Sequence, residues 1–337
     1  MNPVCHTLAA LALILTFSTA QAAEEMLNGA GATFPAPLYQ AWAYDFMKVS
    51  GVTVNYQPIG SGEGIKKISD GTVDFGASDD PMKPEDVNKF GLYQFPAIIG
   101  GVVPVVHIQG IKGGDLKLDS SSLCMIFSGQ LQYWDDPMIR KMNPRIKLPH
   151  AEITVIHRSD GSGTSAIFTN YLSKTCTEWK AKVGEGKMVK LPMGIGGKGN
   201  EGVANYVKQT PNAIGYVEFA YAKQHSLAYT QLKNKSGNFV SPNIATFEEA
   251  AESGDFDANK GFFAWLTNTP GKTSWPIAGA SFILLSKDKK GSNMKVVRFF
   301  DWAFNNGDAK AKMLNYVPLT TSLKANIRAY WSAAEIY

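Results

Sequence analysis

Short apolar segments with the composition of strands alternate with amphipathic segments of helical period along this chain, and this alternation restricts it to the α/β class. Residues 52–56 and 73–77 have strand composition, and helical patterns lie before and between them. The first helix is expected over about residues 37–48, where an apolar side chain recurs at every fourth position and Gly51 supplies a stop. We therefore predict an α/β fold in which one face of this helix is buried.

The first 22 residues have the pattern of a secretory signal peptide. They contain no Lys, Arg, Asp or Glu, run apolar from Leu8 to Phe17, and close with the small-x-small sequence Ala20-Gln21-Ala22. The apolar run is roughly half of the ~20 residues that span a bilayer, and no later stretch reaches that length. We expect the leader to be cleaved and the mature chain to have no membrane insertion.

The length of the chain favours two lobes. Removing 22 residues from 337 leaves 315, which exceeds the usual limit of about 250–300 residues for one core. Residues 95–106, an apolar run broken by glycines and a proline, and residues 275–285 suit strands that pass between lobes. The predicted division is residues 23–99 plus 278–337 for lobe one and residues 100–277 for lobe two.

Charge and residue spacing argue against nucleic acid binding and against catalysis. The net charge of +4 is spread along the chain without a basic block. The histidines are scattered, no metal-ligand motif occurs, and Ser162 lacks a G-x-S-x-G setting because Asp160 takes the first glycine position. We expect no catalytic residue, no metal and no cofactor.

A glycine-rich run gives a weak dinucleotide alternative. Gly194, Gly196 and Gly199 fit G-x-G-x-x-G, but the run lies in mid-chain and the helix after it is short. We interpret residues 194–202 as a turn-rich surface loop and Lys198 as a solvated charge.

Two cysteines, Cys124 and Cys176, follow the leader in a chain that is expected to be secreted. A disulfide is one interpretation and two buried free thiols are the other, because a sequence does not give the Cα separation that a bridge requires.

Three segments share one layout, in which a strand ends, a short Gly, Ser or Thr loop follows and a helix begins. They are residues 29–34, 60–64 and 158–164. The first N–H groups of a helix lack intrahelical partners and its dipole is positive there, so these loops are candidate anion sites. The added hydroxyl donors would be Thr33, Ser61, Ser162 and Thr164. Ordinary helix capping is the alternative at each loop.

Two charged residues sharpen the anion hypothesis. Arg158 stands at the end of a strand, where its planar guanidinium could bind two oxygens of a tetrahedral oxyanion; pairing with Asp160 is the alternative. Asp79 brings a negative charge, which suits phosphate because phosphate keeps a proton near neutral pH and sulfate does not. A turn residue before Pro81 is the alternative for Asp79.

Six segments resemble, in the same order, those of the phosphate-binding component of the phosphate-specific ABC transport system, and the resemblance covers essentially the whole mature chain. The segments are GAGATFPAP (29–37), VDFGASD (73–79), FPAIIGGVV (95–103), DGSGTS (160–165), GGKGNEG (196–202) and AIGYVEFAYAK (213–223).

The resemblance implies a type II periplasmic-binding-protein fold, with two α/β lobes joined by two crossover strands that close over one dehydrated phosphate. The implied ligand contacts are Thr33, Phe34, Ser61, Asp79, Arg158, Ser162, Gly163 and Thr164. Backbone N–H groups are implied from Phe34 and Gly163, hydroxyls mainly from the serines, and both from the threonines. Arg158 would supply the main countercharge, and Asp79 would accept the phosphate proton.

The same resemblance implies a periplasmic monomer that delivers phosphate to the permease subunits of an inner-membrane ABC transporter. Glu63 departs from the family pattern, since relatives often have a small residue there, and we expect it to point to solvent. Two alternatives stay open. One is the same fold binding sulfate, molybdate or a phosphonate, and the other is a phosphate scavenger that works without a transporter.

Overall fold

The computed structural model of the protein describes residues 25–336, and the predicted signal peptide, residues 1–22, lies outside these described residues. Helices and strands alternate as the sequence predicts. The strands are β1 (Met26–Gly31), β2 (Thr53–Pro58), β3 (Phe75–Ser78), β4 (Leu92–Val106), β5 (Lys117–Leu118), β6 (Thr154–Arg158), β7 (Ile195–Gly197), β8 (Ala213–Glu218), β9 (Ala228–Tyr229), β10 (Gln231–Lys233), β11 (Phe239–Val240) and β12 (Ala278–Ser286).

The helices follow the strands closely, with short connections. They are α1 (Ala36–Ser50), α2 (Ser61–Ser69), α3 (Pro84–Lys89), α4 (Ser120–Phe127), α5 (Pro137–Met142), α6 (Gly163–Thr175), α7 (Thr177–Lys182), α8 (Gly199–Gln209), α9 (Phe219–Gln224), α10 (Ile244–Glu252), α11 (Lys290–Asn306), α12 (Asp308–Met313) and α13 (Thr321–Ala333), with a short 3₁₀ helix at Ala258–Lys260. Among these described elements, no helix combines the length and apolarity that crossing a bilayer requires.

The main sheet has the strand order β2-β1-β3-β12-β4-β8-β6-β7, and β9 also pairs with β4. Strand β1 runs parallel to β2 and β3, and β6 runs parallel to β7 and β8, whereas β12 and β4 pair antiparallel. A second sheet is small and has the order β11-β10-β5. The α/β prediction is confirmed.

Strand β4 changes its pairing partner part of the way along. Residues up to Gly101 pair with β12, and residues from Val102 onward pair with β8. We call β1, β2, β3, β12 and residues 92–101 the β1-side half, and β6, β7, β8, β9 and residues 102–106 the β6-side half. The lobe boundaries drawn from the sequence stay predictions, and this change of partner lies beside the first of them.

The C-terminal helices pack on the β1-side half. The ring of Phe300 on α11 contacts Tyr39 on α1, Phe75 on β3 and Phe95 on β4, with ring centroids 5.6, 5.6 and 5.9 Å away. These aromatic residues are buried. The described part of the chain thus begins and ends in the core of the β1-side half, and the β6-side half lies between these two parts in the sequence.

Helix α1 illustrates how local sequence sets an element. Its buried face includes Leu38, Trp42 and Phe46, the residues that recur at every fourth position. It ends at Gly51, which has a φ of 72° and donates its N–H to the Met47 carbonyl. Only glycine adopts this left-handed conformation without a steric cost, so the predicted stop is confirmed.

Cys124 on α4 and Cys176, between α6 and α7, form a disulfide that closes a sequence separation of 52 residues. The bond lies at the far end of α6 from its first residue, Gly163. Of the two interpretations left open by the sequence, the structure has the bridge.

Candidate functional site

The predicted ligand residues lie at the carboxyl ends of parallel strands. Thr33 and Phe34 follow β1, Ser61 opens α2 after β2, Asp79 follows β3, and Arg158 ends β6 ahead of the residues that start α6. All of them are buried. Strands β3 and β8 run in opposite directions beside the β12–β4 ladder, so their carboxyl ends, Ser78 and Glu218, face each other from the two halves. The loops that follow the parallel strands of each half therefore meet between the halves.

Ser61 joins the two halves directly. Its hydroxyl oxygen accepts the N–H of Asp79 at 3.2 Å and the N–H of Gly163 at 3.1 Å. Beside it, the Gly62 N–H donates to the Gly161 carbonyl at 2.8 Å. Since two N–H groups occupy the Ser61 oxygen, its own hydrogen is available to donate elsewhere.

Gly163 therefore differs from the sequence-based expectation. Its N–H was expected to face the ligand, and the structure directs it to the Ser61 oxygen. Ser162, in turn, is the N-cap of α6, because its hydroxyl oxygen accepts the Ser165 N–H at 2.9 Å. Capping leaves the Ser162 hydroxyl hydrogen free to donate, so the capping alternative and a ligand role are compatible.

Arg158 is held by Asp160 with part of its guanidinium left over. Nε lies 2.8 Å from one Asp160 oxygen and Nη2 lies 2.5 Å from the other, in a fork geometry. Nη1 is buried and has no partner among residues 25–336. The pairing that the sequence offered as an alternative exists, and it leaves one guanidinium donor unused.

The pKa of Asp160 reflects this contact. Partial burial alone would raise the pKa of its carboxyl, but the hydrogen bonds and charge of Arg158 and the Gly199 N–H together hold it below the ordinary value. Asp160 is thus an ionised support that fixes the guanidinium plane.

Asp79 is a buried carboxyl whose two oxygens have no hydrogen-bond partner within the described chain. Burial raises its pKa to about 7, and Asp80 adds to the rise. The Ser281 and Ser61 hydroxyls, which lie near but outside hydrogen-bond geometry, and the Arg158 charge oppose it. A buried acceptor without a donor costs free energy unless a partner arrives. The side chain is suited to receive a hydrogen from a bound group.

Two backbone N–H groups in the loop after β1 lack acceptors within the described part of the chain. Among residues 25–336, neither the Thr33 N–H nor the Phe34 N–H donates to a protein acceptor. Phe34 is wholly buried and Thr33 nearly so. Unpaired buried N–H groups are rare in native proteins, which indicates a missing acceptor at this point.

Asn200 is a site residue that the sequence interpretation missed. Its amide nitrogen donates to Thr33 Oγ1 at 2.8 Å and to Thr164 Oγ1 at 3.0 Å, and its Oδ1 accepts the Glu218 N–H at 2.8 Å. Asn200 has no exposed surface. It fixes the two threonine hydroxyls, one from each half of the sheet.

The surface-loop interpretation of residues 194–202 is therefore wrong in part. Residues 194–196 and Lys198 are exposed as predicted, but β7 and the start of α8 fall inside the run, and Asn200 is buried. A signal was present, because this run repeats the strand, glycine loop and helix layout of the other three loops. The outward position of Glu63 is confirmed, since its side chain is exposed.

Outside these loops, the described chain has a further cavity but no cluster of metal-ligating side chains. A cavity of about 600 Å³ between α10 and α13 lies away from these loops. No group of three His, Cys, Asp or Glu side chains in residues 25–336 is placed to hold a metal ion.

Comparisons with known proteins agree with this architecture. Residues 18–306 match the model of the PBP superfamily domain. The phosphate-binding protein PstS of Haemophilus influenzae is 50% identical over 94% of this chain and 96% of its own length, and PstS of Xylella fastidiosa is 46% identical over 94% and 87%.

Solved structures are similar at the level of the fold. A high-affinity periplasmic phosphate-binding protein bound with phosphate has a TM-score of 0.69 at 22% identity, with 90% of this chain and 93% of that chain covered. A phosphate-binding protein from Stenotrophomonas maltophilia has a TM-score of 0.69 at 19% identity, over 91% and 94%. On the strength of the superfamily match and the sequence relatives, this chain belongs to the PstS family of phosphate-binding proteins.

Proposed function

We propose that the chain binds inorganic phosphate between the β1-side and β6-side halves in the periplasm and delivers it to the permease of an ABC transporter for uptake. The observation that carries this is that two buried charged groups at these loops both lack partners within residues 25–336. They are the Arg158 Nη1 nitrogen, which can donate, and the Asp79 carboxyl, which can accept. A cation and an acceptor together fit an anion that still carries a hydrogen.

In the proposed complex, Arg158 Nη1 supplies the countercharge and Asp160 keeps the guanidinium in place. The N–H groups of Thr33 and Phe34 and the hydroxyls of Ser61, Ser162 and the two threonines supply neutral donors. Gly163 takes the role expected from the sequence only if its N–H turns from Ser61 to the ion. Charge-assisted hydrogen bonds of this kind hold a dehydrated oxyanion strongly because water is excluded.

Asp79 supplies the selectivity. A protonated phosphate oxygen can donate to the Asp79 carboxylate, whereas sulfate at the same pH has only lone pairs to present and is repelled. Sites that hydrogen-bond a ligand hydroxyl reject analogues that lack it by roughly four to five orders of magnitude. Molybdate, a larger tetrahedral oxyanion that also carries no proton near neutral pH, should be rejected for the same reason.

Binding is proposed to close the two halves about β4 and β12. The donors are divided between the halves, so only an approach of the halves surrounds the ion. Small-angle scattering with and without phosphate should show a more compact protein when phosphate is bound, and identical curves would contradict the hinge.

The decisive experiment is a calorimetric titration of protein stripped of bound ligand against phosphate, sulfate and molybdate at several pH values. Phosphate should bind, and sulfate should give no heat above pH 7, where the Asp79 carboxyl is ionised. In Asp79→Asn, discrimination against sulfate should weaken more than phosphate affinity falls, because the amide can donate where the carboxylate could not. Absence of phosphate binding, or unaltered selectivity in the variant, would overturn the assignment.

The protein is proposed to act as a monomer without cofactor or metal, to bind no nucleic acid and to catalyse no reaction, since within residues 25–336 the donors are arranged to hold an ion and no nucleophile with an adjacent base lies beside them. Stimulation of a reconstituted transporter by the phosphate-loaded protein would distinguish delivery from scavenging.

A further inference from the structure

Three tyrosine hydroxyls donate to three successive carbonyl groups of the loop after β1. The bonds are all 2.6 Å long and join Tyr56 to Ala32, Tyr221 to Thr33 and Tyr316 to Phe34. Tyr56 is on β2, Tyr221 is on α9 and Tyr316 precedes α13. Three separate parts of the chain thus converge on one tripeptide.

The direction of these bonds is certain, because a carbonyl oxygen can only accept. Burial raises the pKa of each tyrosine well above its ordinary value, so the hydroxyls keep their hydrogens. Tyr316 lies between two acceptors. Its hydroxyl is 2.6 Å from the Phe34 carbonyl oxygen and 3.0 Å from Glu218 Oε2. Burial raises the pKa of Glu218 well above its ordinary value.

A trans peptide group places its N–H opposite its C=O. The Ala32 carbonyl belongs to the same peptide as the Thr33 N–H, and the Thr33 carbonyl belongs to the same peptide as the Phe34 N–H. A hydrogen bond accepted at the oxygen polarises the group and strengthens its N–H as a donor. The tyrosines therefore draw the carbonyls outward, which turns the two unpaired N–H groups the opposite way.

The third bond, from Tyr316 to the Phe34 carbonyl, acts on a peptide group that has no N–H donor. The Phe34 carbonyl belongs to the peptide of Pro35, which has no N–H. Tyr316 therefore anchors the loop without strengthening any donor. It is an internal comparison for Tyr56 and Tyr221.

We propose that Tyr56 and Tyr221 are positioning residues that orient and polarise the Thr33 and Phe34 N–H groups toward bound phosphate, and that Tyr221 does so only when the two halves meet. Tyr221 follows β8 in the β6-side half, whereas Thr33 follows β1, so their bond spans the two halves. Closure then strengthens the hydrogen bond from the Phe34 N–H to the ion, because the Tyr221 bond polarises the Thr33–Phe34 peptide group. The inference rests on the proposed phosphate function and adds residues that do not touch the ligand.

The test uses Tyr221→Phe, which removes one oxygen and keeps the ring. Its phosphate affinity should fall about tenfold through faster dissociation, since the buried Thr33 carbonyl keeps only the longer 3.3 Å bond from the Ala36 N–H in the closed state. The melting temperature of the ligand-free protein should stay close to that of the wild type. Tyr56→Phe should lower both quantities, because its bond lies within one half.

Two further variants distinguish an effect on the orientation of the N–H donors from an effect on the stability of the fold. Tyr316→Phe should lower thermal stability with a smaller loss of affinity than Tyr221→Phe. Tyr93→Phe removes a tyrosine-to-carbonyl contact with Ala334, far from the loop, and should bind phosphate as the wild type does. In phosphate-loaded protein, the Phe34 amide proton resonance should move upfield in Tyr221→Phe and stay in place in Tyr93→Phe.

The outcomes are distinct. If the wild type binds phosphate and Tyr221→Phe binds it equally well, or loses no more affinity than Tyr316→Phe, the tyrosine inference is wrong and the phosphate function stands. If the wild type binds no phosphate, both are wrong. An unmoved Phe34 amide resonance in a weakened Tyr221→Phe would also overturn the polarisation of this peptide.

Discussion

Gly163 and Asp79 are packed so closely that a β-carbon on Gly163 would lie 2.7 Å from the Asp79 β-carbon. Gly163 belongs to the β6-side half and Asp79 to the β1-side half, so this contact depends on the halves meeting. Real β-carbons do not approach each other to that distance, and backbone on both sides limits relaxation.

Gly163→Ala is therefore expected to hold the halves apart. Phosphate affinity should fall by about tenfold or more, in line with the roughly 1–3 kcal/mol that overpacking costs, while the ligand-free protein keeps its melting temperature. Gly291→Ala is the matched control, since a β-carbon there meets nothing within 4 Å. Calorimetry and thermal melting give both quantities, and a variant with normal affinity would show that this contact does not limit closure.

While the two halves are in contact, as in the structure, Asp79 is buried, and the stability of the protein without phosphate should then depend on pH through this carboxyl. Its carboxyl has a pKa of about 7 when folded, against an ordinary value of 3.8. Between these values the folded chain holds more protons than the unfolded chain, so stability present at low pH is lost as the pH rises toward 7. The full effect of this carboxyl is on the order of 4 kcal/mol.

Asp79→Asn removes that titration. From pH 5 to pH 8, the melting temperature of ligand-free wild type should fall relative to that of the variant. Glu218 is present in both proteins, and because the charge of Asp79 also raises the pKa of Glu218, the difference between them reports Asp79 together with this coupling. Parallel curves would mean that Asp79 is ionised throughout the range.

Lys187 and Asp80 form an ion pair between the two halves at the edge of the site. Nζ lies 2.6 Å from Asp80 Oδ2, and the Lys187 carbonyl accepts the Ser162 N–H at 2.9 Å. The lysine side chain is 34% exposed and the aspartate side chain 20%, so the pair is screened and contributes roughly 0.2–1 kcal/mol.

Lys187→Met should therefore raise the phosphate dissociation rate by roughly two- to five-fold, and added salt should reduce the difference from wild type. Lys190→Met, at an exposed lysine nearby, should leave the rate unchanged. Stopped-flow displacement of phosphate measures these rates. Equal rates for the two variants would remove the ion pair as a contributor to closure.

The disulfide should stabilise the fold without affecting the site. Cross-linking across a separation of 52 residues contributes about 2–4 kcal/mol, chiefly by restricting the unfolded chain. Cys176→Ser keeps a polar cap for the Trp179 N–H and removes the bridge. Its melting temperature should fall to that of reduced wild type while phosphate affinity is retained; a matching loss of affinity would place the bridge in the binding mechanism.

Local sequence carried the prediction of the binding loops because each loop is a short strand, glycine and helix unit. Helix α1, for example, was expected near residues 37–48 and spans Ala36–Ser50. Asp79 and Arg158 were identifiable from their charge at strand ends. The sequence could not show that Arg158 both pairs with Asp160 and keeps Nη1 free, because both outcomes use the same residues.

Contacts across long separations were not predictable from local pattern. Asn200 meets Thr33 over 167 residues, and Tyr221 meets Thr33 over 188. Neither residue carries a local signature of that partner, since a buried tyrosine on an apolar helix looks like ordinary core. Such partners are set by the order of strands in the sheet, which periodicity does not reveal.

The antiparallel ladder of β4 and β12 also constrains how the molecule can move. Both connections between the halves are neighbouring strands in one sheet, held by hydrogen bonds from Leu92 to Gly101, with one shift of register near Ser281. Two strands joined in this way can bend or twist together, but sliding one strand along the other would break several hydrogen bonds at once. If the halves open and close as proposed, this ladder returns the two sets of loops to the same alignment each time, so phosphate binding does not require the halves to find their relative position anew.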